Sequence, residues 1–183
     1  MEDIETNRFT LSKISLADAE NVYNILTNEN VIKNLNIDNQ KNIEDTKSLI
    51  NDYLNGYNNK TKYPYKIIDK NTGDFVGVFI NKLDLYDDDC FEFTVFITEN
   101  YWNKGVYSEI LPYMIDSTFK LTNFNNYRGF VKEPNIASRK VLEKYNFELE
   151  KIFKVPGIEE NIYSYLMKKD RWKTIKNGLW DNS

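Results

Sequence analysis

The sequence predicts a single α+β domain built on a mixed sheet, and three observations carry that expectation. The chain has 183 residues, enough for one enclosed core and short for two. Stretches of period-two alternation and of helical spacing follow one another in the order β-α-α-β-β-β-α-β-α-β-β, so helices are interspersed among strands. No repeat, linker or shift in composition marks an internal boundary, and residues 1–183 read as one domain.

Each element has its own signal. Residues 8–14 alternate, with Phe9 and Leu11 on one face and Thr10 and Ser12 on the other, which predicts a strand. Ser15 followed by Asp18 reads as a capping box, and Ala17, Val22, Ile25 and Leu26 recur behind it at helical spacing. The polar segment 28–42 holds a helical turn at residues 31–35. A second helix is expected over residues 43–54, stopping before Gly56. Residues 65–69 and 74–85 read as strands joined by the turn Asn71, Thr72 and Gly73. The polar run 86–89 is a solvated hairpin loop leading to a strand at 90–98. Its consecutive aspartates lack the spacing of a calcium loop, and no metal site is expected.

Farther on, Val106, Ile110, Leu111, Met114, Ile115 and Phe119 mark one face of a helix. Pro112 lies inside it and has no N–H for the Ser108 carbonyl, which should bend the helix. Residues 127–131 form a strand and 134–145 a helix with Pro134 near its first turn. Asn146 follows where helices often end in the left-handed conformation. Residues 147–155 and 161–168 are strands around a turn at Pro156 and Gly157, and residues 171–179 form a terminal helix. Trp172 and Trp180 are expected to pack this last segment.

Composition excludes several classes of function. The net charge is −4, which offers no basic surface for counterion release and argues against a nucleic-acid partner. Neither a secretory signal nor an apolar stretch of bilayer length is visible, so the chain reads as cytoplasmic with no membrane partner. Cys90 is the only cysteine and reads as a small buried hydrophobe rather than a nucleophile. The sequence has no histidine, which removes Ser-His and Cys-His triads and most zinc sites. Acid–base chemistry must then use carboxylates, Tyr, Lys, a terminus or water.

The segment with the most chemical content is the turn at residues 101–105, YWNKG. A strand, a short glycine turn and a helix N-terminus together form an anion site, because the first helical amides have no intrahelical acceptors and the macrodipole favours negative charge there. Lys104 adds a positive charge. By itself, one glycine before a helix is more often a plain turn.

The surrounding sequence supplies the context. The run EFTVFITENYWNKGVYSE at residues 92–109 resembles the strand-turn-helix core of the GNAT N-acetyltransferase superfamily. It is most similar to the branch of the ribosomal-protein N-terminal acetyltransferases, sharing Glu92, Ile97, Tyr101, Trp102, Lys104, Gly105 and Glu109 with that pattern. The opening ETNRFTLSKISLADA from residue 5, the segment EPNIASRKVLEKYNF from residue 133 and the ending LMKKDRW from residue 166 resemble the same branch in the same order.

That resemblance implies a GNAT-type domain, with a mixed, mostly antiparallel sheet of about seven strands, a splayed central pair and flanking helices. It implies acetyl-CoA as cofactor, lying in the opening between the strand of residues 90–98 and that of 127–131. The backbone of Val95, Phe96 and Ile97 would hydrogen-bond the pantetheine arm. Trp102, Asn103, Lys104, Gly105, Val106, Tyr107 and Ser108 would hold the pyrophosphate through main-chain amides. Asn135 and Ser138 would sit near the pantetheine and thiol end. Read from the residues, Asn135 is equally a helix N-cap, and Ser138 equally a solvent-facing residue.

Two departures stand out. Asn103 and Tyr107 occupy places where the superfamily favours small residues, so Tyr107 either crowds the pyrophosphate or swings aside. The tyrosine that many members use to protonate the leaving thiolate falls at Leu142, where this branch usually has leucine.

The implied function is direct transfer of acetyl from acetyl-CoA to a primary amine, on a protein N-terminus such as that of a ribosomal protein or on a small amine. Glu92 is the candidate base, acting through water, with a purely structural strand carboxylate as its alternative. Ser138 is the candidate proton donor to the thiolate. Tyr163 and Tyr165 either line the acceptor groove or simply pack. Segments 30–42 and 154–160 would build the acceptor pocket. The competing reading, motivated by Tyr107, is a degenerate acyl-CoA-binding or regulatory module. The branch often forms homodimers, and the sequence leaves oligomeric state open.

Overall fold

The computed structural model describes residues 2–35, 37, 40–85 and 87–180, and the side chains of 179 and 180 are not described. The chain packs as two compact units, Met1–Lys82 with Thr94–Val106, and Leu83–Phe93 with Tyr107–Ser183.

The first unit opens with β1 (Ile4–Glu5) and β2 (Phe9–Lys13), followed by α1 (Ala19–Leu26), α2 (Glu29–Ile32), α3 (Ile43–Asn58), β3 (Lys62–Asp69) and β4 (Phe75–Leu83). β1 through β4 pair antiparallel in sequence order. Phe9 and Leu11 are fully buried, as the alternation in residues 8–14 predicts. The capping box forms, with Ser15 N–H donating to Asp18 Oδ2 at 2.8 Å. It opens a 3-10 turn, Leu16–Asp18, which then feeds α1. Ala17 of the expected stripe is exposed in the 3-10 turn and Ala19 takes its place, packing with Val22, Ile25 and Leu26 against Ile50 and Tyr53 of α3 and Val78 and Ile80 of β4. Phe96 joins this core, and Trp102 packs against it.

The expected stop before Gly56 does not occur, since α3 runs on to Asn58 and the chain reverses at Lys60, φ 60°. Gly56 serves packing instead. A Cβ there would lie 2.6 Å from Cγ and Cδ of Lys62, so the missing side chain lets the β3 lysine lie against the helix. β3 is also longer than expected and includes Pro64.

The second unit contains α4 (Val106–Leu121), whose first residue belongs to the first unit, then β6 (Asn126–Lys132), α5 (Ile136–Lys144), β7 (Glu148–Phe153), β8 (Ile162–Lys168) and α6 (Lys169–Trp180). The preceding strand, β5 (Cys90–Ile97), contributes its first half to this unit and its second half to the other. Here the strand order is β5-β6-β8-β7, with a parallel β5–β6 ladder from Cys90↔Asn126 to Phe93↔Gly129. The other two pairings are antiparallel. Phe93 stacks on Tyr127 with centroids 4.7 Å apart and meets Phe147 edge-on. Gly129 makes room for that ring, because a Cβ there would lie 2.8 Å from Phe93 Cζ.

Local signals in this half are met closely. Asn146 adopts φ 60°, Asn146 N–H donates to Glu143 O and Phe147 N–H to Leu142 O, which is the Schellman pattern. Trp172 is 1% exposed and its indole donates to Asp116, docking α6; the Trp180 side chain lies outside the described residues. The architecture is α+β, with eight strands in a mixed, mostly antiparallel open sheet and six α-helices among the described residues. The strand beyond the seven expected is the two-residue β1. No described helix is long and apolar enough to cross a membrane.

Candidate active site

The turn after β5 is held from several directions. A 3-10 turn, Glu99–Tyr101, follows the strand, and Glu99 accepts from the side-chain amides of Asn28 and Asn30 at 2.9 and 3.1 Å. The Tyr101 hydroxyl donates to Asp74 at 2.8 Å and approaches Asp69 at 3.2 Å. The Asn71 amide, with that hydroxyl, the Thr72 amide and the field of Arg8, outweighs burial and lowers the Asp69 pKa. The Trp102 indole donates from Nε1 to the Ile97 carbonyl at 2.8 Å.

These anchors leave Asn103, Lys104 and Gly105 exposed. Asn103 at φ 58° and Gly105 at φ 73° are both left-handed, a region that glycine enters freely and asparagine tolerates. Val106 then enters the core at 2% exposure. Lys104 Nζ lies over the Tyr101 ring, 4.9 Å from its centroid. A second cation is present that motif reading does not single out: Arg8 Nη2 lies 3.7 Å from where a Cβ on Gly105 would stand. Two positive side chains therefore border the residues that open a 16-residue helix.

Alternation fixes the roles open to Val95, Phe96 and Ile97. Thr98 N–H donates to Val76 O, and the Phe96 carbonyl is turned to β4, where a Cβ on Gly77 would lie only 2.2 Å from it. The polar main-chain groups of successive strand residues point to opposite edges. Those of Val95 and Ile97 therefore point away from β4, and the Ile97 carbonyl already accepts from Trp102.

In the second unit, the phenol of Tyr107 is desolvated and its pKa pushed upward by burial. Tyr107 itself is half-buried, one helical turn before the fully buried Leu111. Ser108 is tied to the end of α5: Tyr145 Oη donates to its carbonyl at 2.5 Å and Lys144 Nζ to its hydroxyl at 2.9 Å. Asn135 Oδ1 accepts from Ser138 N–H at 3.2 Å, so Asn135 is the N-cap of α5 and fixes Ser138 in its first turn. Tyr165 is 2% exposed and donates to Glu143 at 2.7 Å, a packing role, while Tyr163 lies beneath the Arg139 guanidinium at 4.0 Å.

Glu92 is 9% exposed and sits in register with Arg128 of β6. Parallel partners share a face, and this face is opposite to that of Phe91 and Phe93. Arg128 is held by Asp84, by Asp87 at 3.2 Å and by both oxygens of Glu150 at 3.2 Å. Ser164 donates to Glu150 at 2.9 Å. Burial opposes the charge of Arg128, but its bond to Asp84 and the neighbouring acidic groups outweigh it and raise its pKa. Cys90 is fully buried and its thiol pKa is pushed up by desolvation.

The family model described as an acetyltransferase (GNAT) domain matches residues 8–148. An uncharacterized N-acetyltransferase p20 of Bacillus licheniformis is 29% identical over 178 residues, spanning 92% of this chain and 97% of its own. A ribosomal L7/L12 alpha-N-protein acetyltransferase solved with coenzyme A superposes with a TM-score of 0.81 at 15% identity, covering 93% of this chain and 99% of that one. A spermidine N-acetyltransferase from Vibrio cholerae, solved with CoA and spermine, gives 0.78 at 15% identity over 91% and 98%. The chain belongs to the GNAT acetyltransferase family and is an enzyme whose acetyl donor is acetyl-CoA.

Proposed function

We propose that the enzyme acetylates a primary amine by direct attack in a ternary complex. The observation that carries this reading is the turn at residues 102–108: two left-handed residues, an exposed glycine and Arg8 beside it, at the start of a long helix. Main-chain amides there suit a pyrophosphate, and a Cβ at Gly105 would strain the backbone. The edge groups of Val95 and the amide of Ile97 suit the amides of a pantetheine arm. Asn135 holds the first turn of α5, from which the Ser138 hydroxyl relays a proton from water to the departing thiolate.

Acetyl-CoA supplies an acetyl group already activated as a thioester. The protein supplies alignment, which by itself accounts for much of the rate in such reactions, and a base for the amine proton. Glu92 is that base, through water: it is a buried carboxylate on the face of β5 away from the aromatic core. Tyr107 is half-buried and burial pushes its phenol pKa upward, so it adds no negative charge against a phosphate.

The acceptor is a protein N-terminus or a small cationic amine. The structural neighbours include acetyltransferases of a ribosomal protein and of spermidine, which covers both classes, and a net charge of −4 favours either over a nucleic acid. The test is calorimetry with acetyl-CoA followed by free-thiol release over a panel of N-terminal peptides, polyamines and amino acids. Binding with thiol release on one class identifies the acceptor. Binding without release on any amine would overturn the reading, as would no binding.

A further inference from the structure

α4 contains a proline where a regular helix would need an amide. In an α-helix the carbonyl of residue i accepts from the N–H of residue i+4, so the Ser108 carbonyl would be served by residue 112. That residue is Pro112, which has no N–H. The carbonyl belongs to the first turns of the helix that the cofactor reading assigns to the pyrophosphate.

The missing donor comes from another helix. Tyr145 is the C-cap of α5, 7% exposed, and its hydroxyl donates to the Ser108 carbonyl at 2.5 Å. Its placement is fixed by the left-handed Asn146 and by the Phe147 to Leu142 backbone bond that closes α5. Lys144, one residue earlier, makes the second tie to Ser108 through its hydroxyl. Both ties reach the same residue from the same helix end, and both are polar.

We infer that Tyr145 is a positioning residue for cofactor binding. Its hydroxyl replaces the amide withheld by Pro112 and fixes the orientation of the first turn of α4, where the cofactor reading places the phosphates. This rests on the cofactor reading above and deepens it. The role is not general packing, since the ring can stay buried without its hydroxyl. It is also conditional: the hydroxyl matters because residue 112 is proline.

The experiment is a double-mutant cycle on Tyr145→Phe and Pro112→Ala, read by calorimetry with CoA and by kcat/KM with acetyl-CoA and acetyl-pantetheine. Tyr145→Phe is expected to weaken CoA binding about fivefold, the worth of one hydrogen bond, and to raise KM for acetyl-CoA with kcat retained. Acetyl-pantetheine, which lacks the phosphates, should be used as well by the variant as by the wild type. In the Pro112→Ala background the new amide serves the carbonyl, and the effect of Tyr145→Phe should vanish. Unchanged CoA affinity in Tyr145→Phe would overturn the inference, as would an equal loss for both thioesters or a loss undiminished in the Pro112→Ala background. If the wild-type enzyme itself fails to bind CoA, the cofactor reading falls first, and that result is distinct from the others.

Discussion

The indole Nε1 of Trp102 donates to the carbonyl of Ile97 at 2.8 Å, so the turn closes back onto the last residue of the strand it leaves. The bond leaves the adjoining amide groups as the edge on which an amide-bearing ligand can align. Trp102→Phe keeps the ring against the first core but removes the donor. CoA affinity is expected to fall about fivefold, with a Tm change of only a few degrees. Calorimetry beside a thermal melt checks both; equal affinity would remove this contact from the cofactor site.

Arg8 reaches the same turn from the far end of the sequence, 3.7 Å from the Cβ position of Gly105. On the proposed cofactor placement, a guanidinium there would strengthen phosphate binding and leave the pantetheine arm untouched. Arg8→Ala should weaken CoA binding by about tenfold, within the range of charge-assisted bonds, and flatten its salt dependence. Its effect on acetyl-pantetheine should be nil. Titrations at two salt concentrations decide the matter, and a loss independent of salt would point to a structural role.

The local features of this chain are legible in its sequence, and the ties across it are not. The Ser15 and Asp18 box, the left-handed Asn146 and the gap at Pro112 follow from the chemistry of residues within a turn of one another. Gly56 misleads for a physical reason, because a glycine after a helical stripe signals a stop only where the backbone needs positive φ, and here it accommodates Lys62. Arg8, Arg128 and Tyr145 escape because their partners are remote: Tyr145 lies 37 residues from Ser108, and Arg128 lies 44 from Asp84. Arg8 stands inside a recognisable opening motif, yet nothing in the motif says that the side chain reaches Gly105.

Arg128 binds Asp84, Asp87 and Glu150, and the Asp84 side chain is only 1% exposed. Removing the guanidinium leaves a buried carboxylate uncompensated. Arg128→Met is expected to lose about 3–5 kcal/mol of stability, by urea unfolding. Adding Asp84→Asn should recover part of that loss, since the two sites share one interaction. Additive losses would show that the ion pair is not what holds these strands.

Asp116 anchors the last helix through Trp172 and Lys176, and also pairs with Lys120. Desolvation raises its pKa, but these three donors outweigh it and leave it below the ordinary 3.8. A carboxyl with a lowered folded pKa stabilises fully above its unfolded value and loses that contribution as pH falls through the folded one. Asp116→Asn should therefore lower Tm at neutral pH, by about 1–2 kcal/mol of stability. The two melting curves should converge as the pH drops below 3.8. A difference that persists unchanged in acid would mean that packing around Trp172, and not the charge, holds α6.

Glu92 is the sharpest test of mechanism. It is buried on β5, in register with Arg128, and carries the only carboxylate of that strand. Glutamine keeps its shape and removes its basicity. If the carboxylate takes the amine proton, Glu92→Gln should lower kcat about 100-fold, at the low end for general base catalysis, with CoA affinity and Tm nearly unchanged. A strand carboxylate serving only structure would give the opposite pattern, a lower Tm with turnover per folded molecule preserved. Raising the pH should partly restore the variant, because a larger fraction of the amine is then already neutral. That recovery belongs to a lost base and not to a misplaced cofactor, so a variant whose turnover stays low at every pH would remove Glu92 from the proton path.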